Sequence, residues 1–213
     1  CSGQLQLNMF GNPTREYAAS PLALHEGVLY GSTNLGVNFA LEAHTGEVRW
    51  LGFYESSRPP DMAYQDHFRF RQEQEAPFGA NAPLVLDAAV LFAPADSEAM
   101  IALDRMSGAP VWRLPARLTV AGSAFEIRYI LGALGGEIYC QGNGVLAVNP
   151  ERRRGRGLLG SALRIVLTPE RLGTPGIPPS RLPRGGLAQA TLFTINQLGG
   201  LCLWDLQIGR AHV

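Results

Sequence analysis

The residues with the most evident chemical capacity lie in one segment of the N-terminal half. Asp61, Asp66 and His67 are residue types that bind metal ions, and Arg69 adds a cation for an acidic ligand. Two interpretations are open: a loop that binds a ligand or partner, or a solvated connection containing a short helix. A single histidine, with no second one at ligand spacing, favours the connection over a metal site. These four residues form the candidate binding loop.

Several kinds of catalysis lack the residues they need. All 18 basic residues are arginine, which excludes a Schiff-base lysine, a lysine general base and the lysine of a phosphate-binding P-loop. No serine, histidine and aspartate occur in a nucleophile-elbow pattern. Cys1, Cys140 and Cys202 show no CxxC spacing, and the last two sit in apolar runs typical of small buried residues. We therefore predict no catalytic, cofactor-binding or metal-binding residue.

The charge balance argues against nucleic acid as a partner. The 18 acidic residues offset the 18 arginines, so the chain as a whole does not attract polyanions. One basic cluster comprises Arg152, Arg153, Arg154 and Arg156. Nucleic-acid binding would need these charges on a supported face beside stacking aromatics, which do not adjoin them, so we predict a solvated turn. Apolar runs are shorter than the roughly 18 residues of a membrane span, so we expect no transmembrane segment.

An internal repeat reveals the elements that would position these residues. Four segments share a leading leucine, a short polar or small-residue stretch and an apolar end, and each predicts strand, tight turn, strand. They are Leu24–Tyr30, Leu86–Phe92, Leu134–Cys140 and Leu187–Phe193. The leading leucines are 62, 48 and 53 residues apart, which suits a four-stranded sheet per repeat with variable loops.

A second shared pattern follows the hairpins. An acidic residue or asparagine comes after an apolar pair, and in the first two copies glycine follows four positions later and tryptophan eight positions later. The residues are Glu42, Gly46 and Trp50, then Asp104, Gly108 and Trp112, then Asn149, then Asp205. We expect the carboxylate to accept backbone N–H groups in a turn, the glycine to supply a positive φ, and the tryptophan to cover a neighbouring sheet. These roles are structural and would dock one sheet against the next.

Stacked four-stranded units predict an all-β fold, a partial β-propeller of about four antiparallel blades. The repeats cover approximately 21–51, 82–115, 125–160 and 176–207. The candidate binding loop lies in an insertion at 52–81, and residues 1–20 are interpreted as the remnant of a preceding blade or a linker. Residues 208–213 resemble the translation of a common sequencing adapter, so we expect a non-native tail.

The pattern of apolar pair, acid, two residues, Thr-Gly, three residues and Trp resembles the repeat of pyrroloquinoline-quinone-type (PQQ-like) β-propellers. Residues 92–97 with 101–104 resemble in particular the long envelope proteins of planctomycete-type bacteria. The resemblance covers about residues 21–207 and implies the quinoprotein dehydrogenase-like superfamily. Propellers of this family usually have about eight blades, so we expect the chain to be an incomplete ring from a longer protein.

The resemblance implies three alternative functions. The first is a non-catalytic scaffold that binds a protein or peptide partner through its blade loops, because the family includes the lipoprotein scaffold of the bacterial outer-membrane assembly machine. The second is part of a dehydrogenase that uses PQQ and calcium. Such enzymes carry adjacent cysteines, a catalytic aspartate and calcium-binding Glu and Asn, which no motif places on this chain. The third is a carbohydrate- or polymer-binding propeller. We favour the scaffold, with a periplasmic, cell-envelope or secreted location.

Overall fold

A computed structural model describes residues 20–33, 36–56, 77–154, 157–158, 160–172, 183–195, 200–206 and 210–212. The described part is all-β, as predicted: its strands form four sheets, and its helical elements are a 3₁₀ turn at Gly160–Ala162 and the short helix α1 at Pro169–Leu172. No helix in the described ranges is long and apolar enough to cross a membrane.

The first sheet is a simple antiparallel meander. Its strands are β1 (Ala23–His25), β2 (Val28–Ser32), β3 (Val37–Glu42) and β4 (Val48–Phe53), hydrogen-bonded in that order. A bulge between Ala40 and Leu41 shifts the pairing with β4, so that Leu41 faces Val48 while Ala40 faces Trp50. The bulge leaves Arg49 as the extra residue and keeps both Val48 and Leu51 on the face opposite Trp50.

The second sheet repeats this meander and adds a small ribbon. Its strands are β5 (Leu84–Val85), β6 (Ala89–Phe92), β7 (Ala99–Asp104) and β8 (Pro110–Pro115), with the same bulge between Ala102 and Leu103. The ribbon, β13 (Arg153–Arg154) and β14 (Gly157–Leu158), joins the outer edge through a parallel pair with β8. The prediction of a turn at the arginine cluster is therefore wrong in part, because the backbone of Arg153–Arg154 is a short strand; Arg156 lies outside the described residues.

The third sheet has five strands in the order β15-β12-β11-β10-β9. They are β9 (Arg117–Val120), β10 (Ser123–Leu134), β11 (Glu137–Gly142), β12 (Val145–Val148) and β15 (Leu163–Leu167). The long strand β10 pairs with β9 through Ser123–Glu126 and with β11 through Ile127–Leu134. Two register shifts with β11, around Ile127 and Ile130, bend β10 between these two partners.

The fourth sheet is again a four-stranded meander. Its strands are β16 (Gly186–Ala188), β17 (Thr191–Ile195), β18 (Leu201–Asp205) and β19 (Arg210–His212). The last strand comes from the adapter-like segment, whose backbone pairs with β18. This pairing does not bear on whether the segment is native, so its non-native origin stays a prediction.

In two of the four predicted hairpins, the strand pairing is displaced by one residue from the alignment of the repeats in the sequence. Leu24 pairs with Leu29 and Leu187 with Leu192, whereas in the second copy the equivalent pair is Val85 with Val90 rather than a pair led by Leu86. The third hairpin is displaced in the same way. A one-residue displacement exchanges the two faces of a strand, so the leading leucines of the second and third copies are not structural equivalents of Leu24.

The core lies between successive sheets. One apolar cluster joins the first and second sheets, a larger one joins the second and third, and a third one joins the third and fourth. Strand β1 contacts β5, so the first strands of the first two meanders lie side by side, and β10 of the third sheet contacts β16, the first strand of the fourth. These strands form the inner edge of the stack, and the last strand of each meander forms its outer edge.

Candidate functional site

Antiparallel meanders place their connections alternately at two ends. The loop face is defined by the connections β2–β3, β4–β5, β6–β7 and β11–β12, and the turn face by β1–β2, β3–β4, β5–β6 and β7–β8. The predicted insertion is part of β4–β5, so it emerges from the loop face. Four of its described residues, Tyr54, Phe78, Gly79 and Asn81, make the contacts that hold it there.

The N-terminal flank of the insertion is fixed through Tyr54. Its backbone N–H donates to Gly36 O at 2.9 Å, which ties it to the β2–β3 connection. Its hydroxyl lies 2.6 Å from Oδ1 of Asp96 in the β6–β7 connection and also against the carbonyl oxygen of Thr33, and it donates its one proton to either. Burial, then the Asp96 carboxylate, raise the pKa of Tyr54 well above its ordinary value. Tyr54 is therefore a neutral donor that joins the first sheet to the second.

The C-terminal flank is fixed against the third sheet. Phe78 is buried in the cluster between the second and third sheets, with 1% of its surface exposed. The Asn81 side chain pairs with β10 like a strand backbone: its Oδ1 accepts from Ile130 N at 2.9 Å and its Nδ2 donates to Arg128 O at 3.0 Å. The backbone N–H of Gly79 also donates to Arg128 O, at 3.0 Å. The insertion therefore returns to the body at the inner edge of the sheets.

Close packing explains the glycine at position 79. A Cβ on Gly79 would lie 2.2 Å from the ring of Tyr129. This is shorter than any van der Waals contact, so a larger residue would force the ring or the backbone to move. Tyr129 in turn has the guanidinium carbons of Arg128 and Arg184 at 5.9 and 6.0 Å from its ring centroid. These distances permit cation–π attraction at both positions.

Arg184 and Gln141 join the fourth sheet to this inner edge. Arg184 donates to Ile130 O at 3.1 Å and to Ala80 O at 3.3 Å, so one guanidinium contacts both β10 and the insertion flank. Gln141 is 1% exposed; its amide donates to Pro183 O at 3.1 Å and accepts from Gly185 N at 2.6 Å. The inner seam, defined as Asn81, Arg128, Tyr129, Gln141 and Arg184, thus joins the third sheet to the insertion flank and to the segment that leads into the fourth sheet.

The four residues of the candidate binding loop, Asp61, Asp66, His67 and Arg69, lie outside the described residues. Their contacts therefore stay a prediction. The described residues on either side of them lie in different places: Tyr54 lies at the loop face, against the β2–β3 and β6–β7 connections, whereas Gly79 and Asn81 lie at the inner edge, against β10.

The tryptophan–glycine pattern forms the junction between the first two sheets. Trp50 is 6% exposed, and its indole N–H donates to Arg105 O at 2.9 Å in the β7–β8 turn. Its ring lies directly over Gly108, where a Cβ would be 2.7 Å from the ring atoms. Tyr30 and Phe92 flank the ring at centroid distances of 6.0 and 6.2 Å. The glycine of one repeat therefore contacts the tryptophan of the preceding repeat.

The second tryptophan occupies the same place one sheet further on. Trp112 is 2% exposed and packs in the cluster that joins the second and third sheets. The third repeat has no glycine in the position of Gly108, because Asn149 is followed by Pro150 and the arginine cluster.

The acidic residues of the repeat end the third strand of their meanders. Glu42 ends β3, Asp104 ends β7 and Asp205 ends β18. In each sheet the next residue donates its N–H to the preceding hairpin: Ala43 to Gly27 O, Arg105 to Ala88 O and Leu206 to Ala190 O, at 2.8, 3.1 and 2.8 Å. This shared bond makes the acid the last residue before the turn in all three sheets.

The carboxylates themselves differ in their contacts. Oδ1 of Asp104 accepts from the N–H groups of Ser107 at 2.8 Å and Met106 at 3.1 Å, and from the Ser107 hydroxyl at 2.7 Å. These bonds, the Ser107 hydroxyl first, lower the pKa of Asp104. Glu42 instead forms an ion pair with Arg49. The turn glycines have similar conformations, with φ of 74° at Gly46 and 71° at Gly108.

No group of three or more His, Cys, Asp and Glu side chains within the described ranges has the geometry of a metal site. A calcium ion beside PQQ would need several oxygen donors, and we assign no described residue to either. Burial raises the pKa of the Cys140 thiol to about 12, which keeps it protonated.

Sequence reasoning missed the inner seam. Asn81 and Gln141 lie outside the repeat pattern, and their amides contact strands distant in sequence. The signal that could have found Asn81 is its place just before a predicted strand, at the end of the insertion. No sequence pattern singles out Gln141 or Arg184.

Comparisons with known proteins identify the fold. Neither a scan against protein-family models nor a search of curated proteins gives a match. Among solved structures, BamB from Moraxella catarrhalis aligns with a TM-score of 0.51 and 17% identity, over 90% of this chain and 49% of BamB. Quinohemoprotein alcohol dehydrogenase ADHIIG from Pseudomonas putida HK5 aligns with a TM-score of 0.54 and 13% identity, over 91% of this chain and 34% of the enzyme.

A third solved structure is close to this chain in length. The computationally designed Ika4 protein aligns with a TM-score of 0.52 and 10% identity, over 88% of this chain and 90% of Ika4. The chain thus spans about half of BamB and about a third of the dehydrogenase. These likenesses show the fold, and they confirm the PQQ-like β-propeller arrangement that the repeat predicted.

Proposed function

We propose that this chain is a non-catalytic interaction module of a bacterial envelope or secreted protein, and that it binds a protein or peptide partner through its loop face. The observation that carries the proposal is the fixation of the insertion at both ends. Tyr54 ties one flank to the second sheet, and Asn81 ties the other flank to the third. A long connection fixed in this way is typical of a binding loop presented by a rigid scaffold.

The physical advantage of this arrangement is preorganisation. A loop whose ends are held by buried contacts has less conformational entropy to lose when it binds. The insertion also contains acidic, basic and aromatic residues next to each other, which suits a polar protein surface or an extended peptide. Asp61, Asp66, His67 and Arg69 are the residues that we propose to contact the partner.

The periplasmic, envelope or secreted location is part of the same proposal. It is supported by the repeat resemblance and by the fold shared with BamB from Moraxella catarrhalis. The fold shared with ADHIIG supports the alternative, in which PQQ and calcium bind to a longer chain. The carbohydrate-binding propeller remains a further alternative.

Loop substitution tests the proposal. The chain with Asp61, Asp66, His67 and Arg69 all changed to alanine is immobilised beside the unchanged chain, and both are exposed to an envelope extract of the bacterium that produces the protein. We expect one protein to be retained by the unchanged chain and lost from the substituted chain.

A control on the other face makes this result specific. Glu47→Ala and Met106→Ala change exposed turn-face residues and should retain the same protein. Equal retention by the loop variant would contradict the proposal. So would dye-linked dehydrogenase activity of the full-length protein after addition of PQQ and calcium, because that result would establish the catalytic alternative.

A further inference from the structure

A two-stranded hairpin extends beyond the third sheet at the loop face. Strand β10 pairs with β11 from Ile127 onward, where Ile127 faces Gly142 at the end of β11. The preceding residues of β10, Ser123–Glu126, pair with β9 instead, through the turn Ala121–Gly122. Both turn residues have positive φ, 49° and 82°, as a two-residue type I′ turn requires. The hairpin therefore lies beside the β11–β12 connection, one of the connections that define the loop face.

The outward edge of β10 in this hairpin is already occupied. Bonded and non-bonded pairs alternate along an antiparallel ladder, and Ile127 N donates across this ladder to Ala116 O at 2.7 Å. The alternation therefore points the backbone groups of Ala124 and Glu126 away from β9. Asn143 meets them there: its Oδ1 accepts from Glu126 N at 3.0 Å, its Nδ2 donates to Ala124 O at 3.1 Å, and its own N–H donates to Glu126 O at 3.3 Å. One asparagine thus takes the place of a neighbouring strand.

The outward edge of β9 is open among the described residues. The same alternation points the backbone N–H and C=O groups of Arg117 and Thr119 away from β10, and none of these groups bonds to another part of the chain that the structure describes. Both residues are exposed, whereas Leu118 and Val120 pack on the cluster between the second and third sheets. Strand β9 is therefore an edge strand that offers unused donors and acceptors at the loop face.

The charge and shape beside this edge indicate what would pair with it. The side chain of Arg117 is 72% exposed and lies 3.6 Å from the carboxylate of Glu126, in an ion pair that solvent screens. A cleft of about 340 Å³ opens on the hairpin, and its lining includes Arg117, Thr119, Ala124, Glu126 and Asn143. An extended segment that places an acidic side chain beside Arg117 fits both features.

The chain itself covers another sheet edge by adding a strand. In the second sheet, the ribbon of β13 and β14 lies along the outer edge of β8, where Gly157 pairs in parallel with Arg113. The ribbon comes from the connection between β12 and β15 of the third sheet. An edge of one sheet thus receives a strand from a segment of another, so strand addition is compatible with this fold.

We propose that the edge of β9 binds an extended acidic segment of the protein partner by strand addition. Arg117 and Thr119 supply the backbone bonds, and the Arg117 side chain pairs with the acid. This inference rests on the proposed function, because it specifies how the partner contacts the loop face. Main-chain bonds give such complexes their affinity, and side-chain contacts give them their specificity. The short length of β9 and the charge of Arg117 limit indiscriminate pairing with other edges.

Fluorescence polarisation with synthetic peptides tests the proposal. Two labelled short peptides with blocked ends alternate threonine and valine, and they differ at one central position, which is glutamate or lysine. The unchanged chain should bind the glutamate peptide with a dissociation constant below about 1 mM and the lysine peptide at least about tenfold more weakly. Arg117→Glu should reverse this preference.

Proline and alanine at position 119 are the matched pair of variants. Proline is accepted on an edge strand where its missing N–H would face solvent, so Thr119→Pro removes one outward donor and keeps the bonds between β9 and β10. This variant should bind the glutamate peptide about tenfold more weakly or worse. Thr119→Ala keeps the donor and should bind like the unchanged chain.

Amide hydrogen exchange of the unchanged chain is a second readout, which does not depend on how the variants fold. The glutamate peptide should slow exchange at Arg117 and Thr119, whose N–H groups it would accept. Exchange at Leu118 and Val120 should stay as it is, because these N–H groups already bond to β10.

Four results would each overturn the inference. They are no binding of the glutamate peptide below about 1 mM, equal binding of both peptides, unchanged exchange at Arg117 and Thr119 in the complex, and a dimer of the unchanged chain that Thr119→Pro abolishes. In the last case β9 would pair with a second copy of the chain instead of a partner.

Retention of the envelope protein separates this failure from failure of the proposed function. The variant with alanine at all four candidate loop positions keeps β9 and should bind the glutamate peptide normally. If Thr119→Pro retains the envelope protein as well as the unchanged chain does, and the loop variant loses it, then strand addition at β9 is wrong and the proposed function stands.

Discussion

Trp50 and Gly108 show how single residues determine the distance between two blades. The indole ring occupies the space that a side chain at position 108 would fill, and its N–H satisfies the carbonyl of Arg105 at 2.9 Å. Glycine is needed at 108 for two separate reasons, its φ of 71° and the contact with the ring. At Gly46, with φ of 74°, a Cβ would meet nothing within 4 Å, so only the first reason applies.

This difference gives a matched pair of variants. Gly46→Ala should lower the free energy of unfolding by about 1 kcal/mol through backbone strain alone. Gly108→Ala should lower it by about 2–4 kcal/mol, because the indole ring must also move. Urea denaturation measures both values. Equal losses in the two variants would show that Trp50 does not depend on the glycine.

Asp104 should make stability depend on acid pH. Its pKa is lower in the folded chain because the Ser107 hydroxyl and backbone N–H groups stabilise the carboxylate. The stabilisation is therefore complete above the unfolded pKa of about 3.9 and is lost as pH falls through the lower folded pKa. When the pH is lowered from neutral to below about 3.9, the thermal midpoint of Asp104→Asn should therefore fall less than that of the unchanged chain.

The control for this prediction is Asp87→Asn in the β5–β6 turn, which makes the same change in net charge. The thermal midpoint of this variant should fall on acidification by as much as that of the unchanged chain. If the thermal midpoints of Asp104→Asn and of the unchanged chain fell by the same amount with falling pH, the assigned role of the carboxylate would be contradicted.

The two described cysteines should differ in reactivity. Cys140 is 1% exposed, with a pKa raised to about 12 by burial, whereas Cys202 is partly exposed on β18. Because the thiolate is the reactive form, a thiol-specific reagent at neutral pH should label Cys202 in the folded chain and Cys140 only after denaturation. Peptide mass spectrometry on a Cys1→Ser background measures this. Equal labelling of the two in the folded chain would contradict the burial of Cys140.

At the scale of elements, the insertion depends on its clasp with β10. Asn81→Ala removes the acceptor of Ile130 N–H and one of the two donors to Arg128 O, which keeps its bond from Gly79 N–H. Leaving the buried Ile130 N–H unpaired should cost about 1–3 kcal/mol. The amide of Ile130 should then exchange its hydrogen much faster.

Asn143→Ala is the matched control. Asn143 makes the same kind of clasp, with Glu126 N at 3.0 Å and Ala124 O at 3.1 Å, on the β9–β10 hairpin. It should speed exchange at Glu126 and leave Ile130 protected. Unchanged exchange at Ile130 in the Asn81 variant would show that the insertion is held by other contacts.

The repeat predicted the elements better than their register. The acid, glycine and tryptophan positions could be predicted because each depends on local turn geometry or on one large ring, which residue type and spacing indicate. The hairpins of the second and third copies were matched one residue away, because leucine, valine and alanine are interchangeable in an apolar strand and only cross-strand bonds distinguish the faces. The inner seam was not predictable, since Asn81, Gln141 and Arg184 act on strands far away in the sequence.

At the scale of the whole molecule, the four sheets separate three kinds of surface. The end faces are apolar and suited to further blades, the turns that define the turn face are short and tightly hydrogen-bonded, and the loop face carries the insertion. Of the connections that define the two faces, the insertion is the long one, and its described flanks are held by buried contacts. Partner binding is therefore assigned to the loop face.

Site-specific photocrosslinking tests this assignment most directly. A photoreactive amino acid replaces either Glu98 on the loop face or Met106 on the turn face, both exposed and both on the second sheet. Each chain is irradiated in an envelope extract of the bacterium that produces it, and crosslinked proteins are identified by mass spectrometry. We expect a specific crosslinked protein from position 98 that disappears when the four candidate loop residues are alanine, and none from position 106. Specific crosslinking from position 106, with none from position 98, would contradict it.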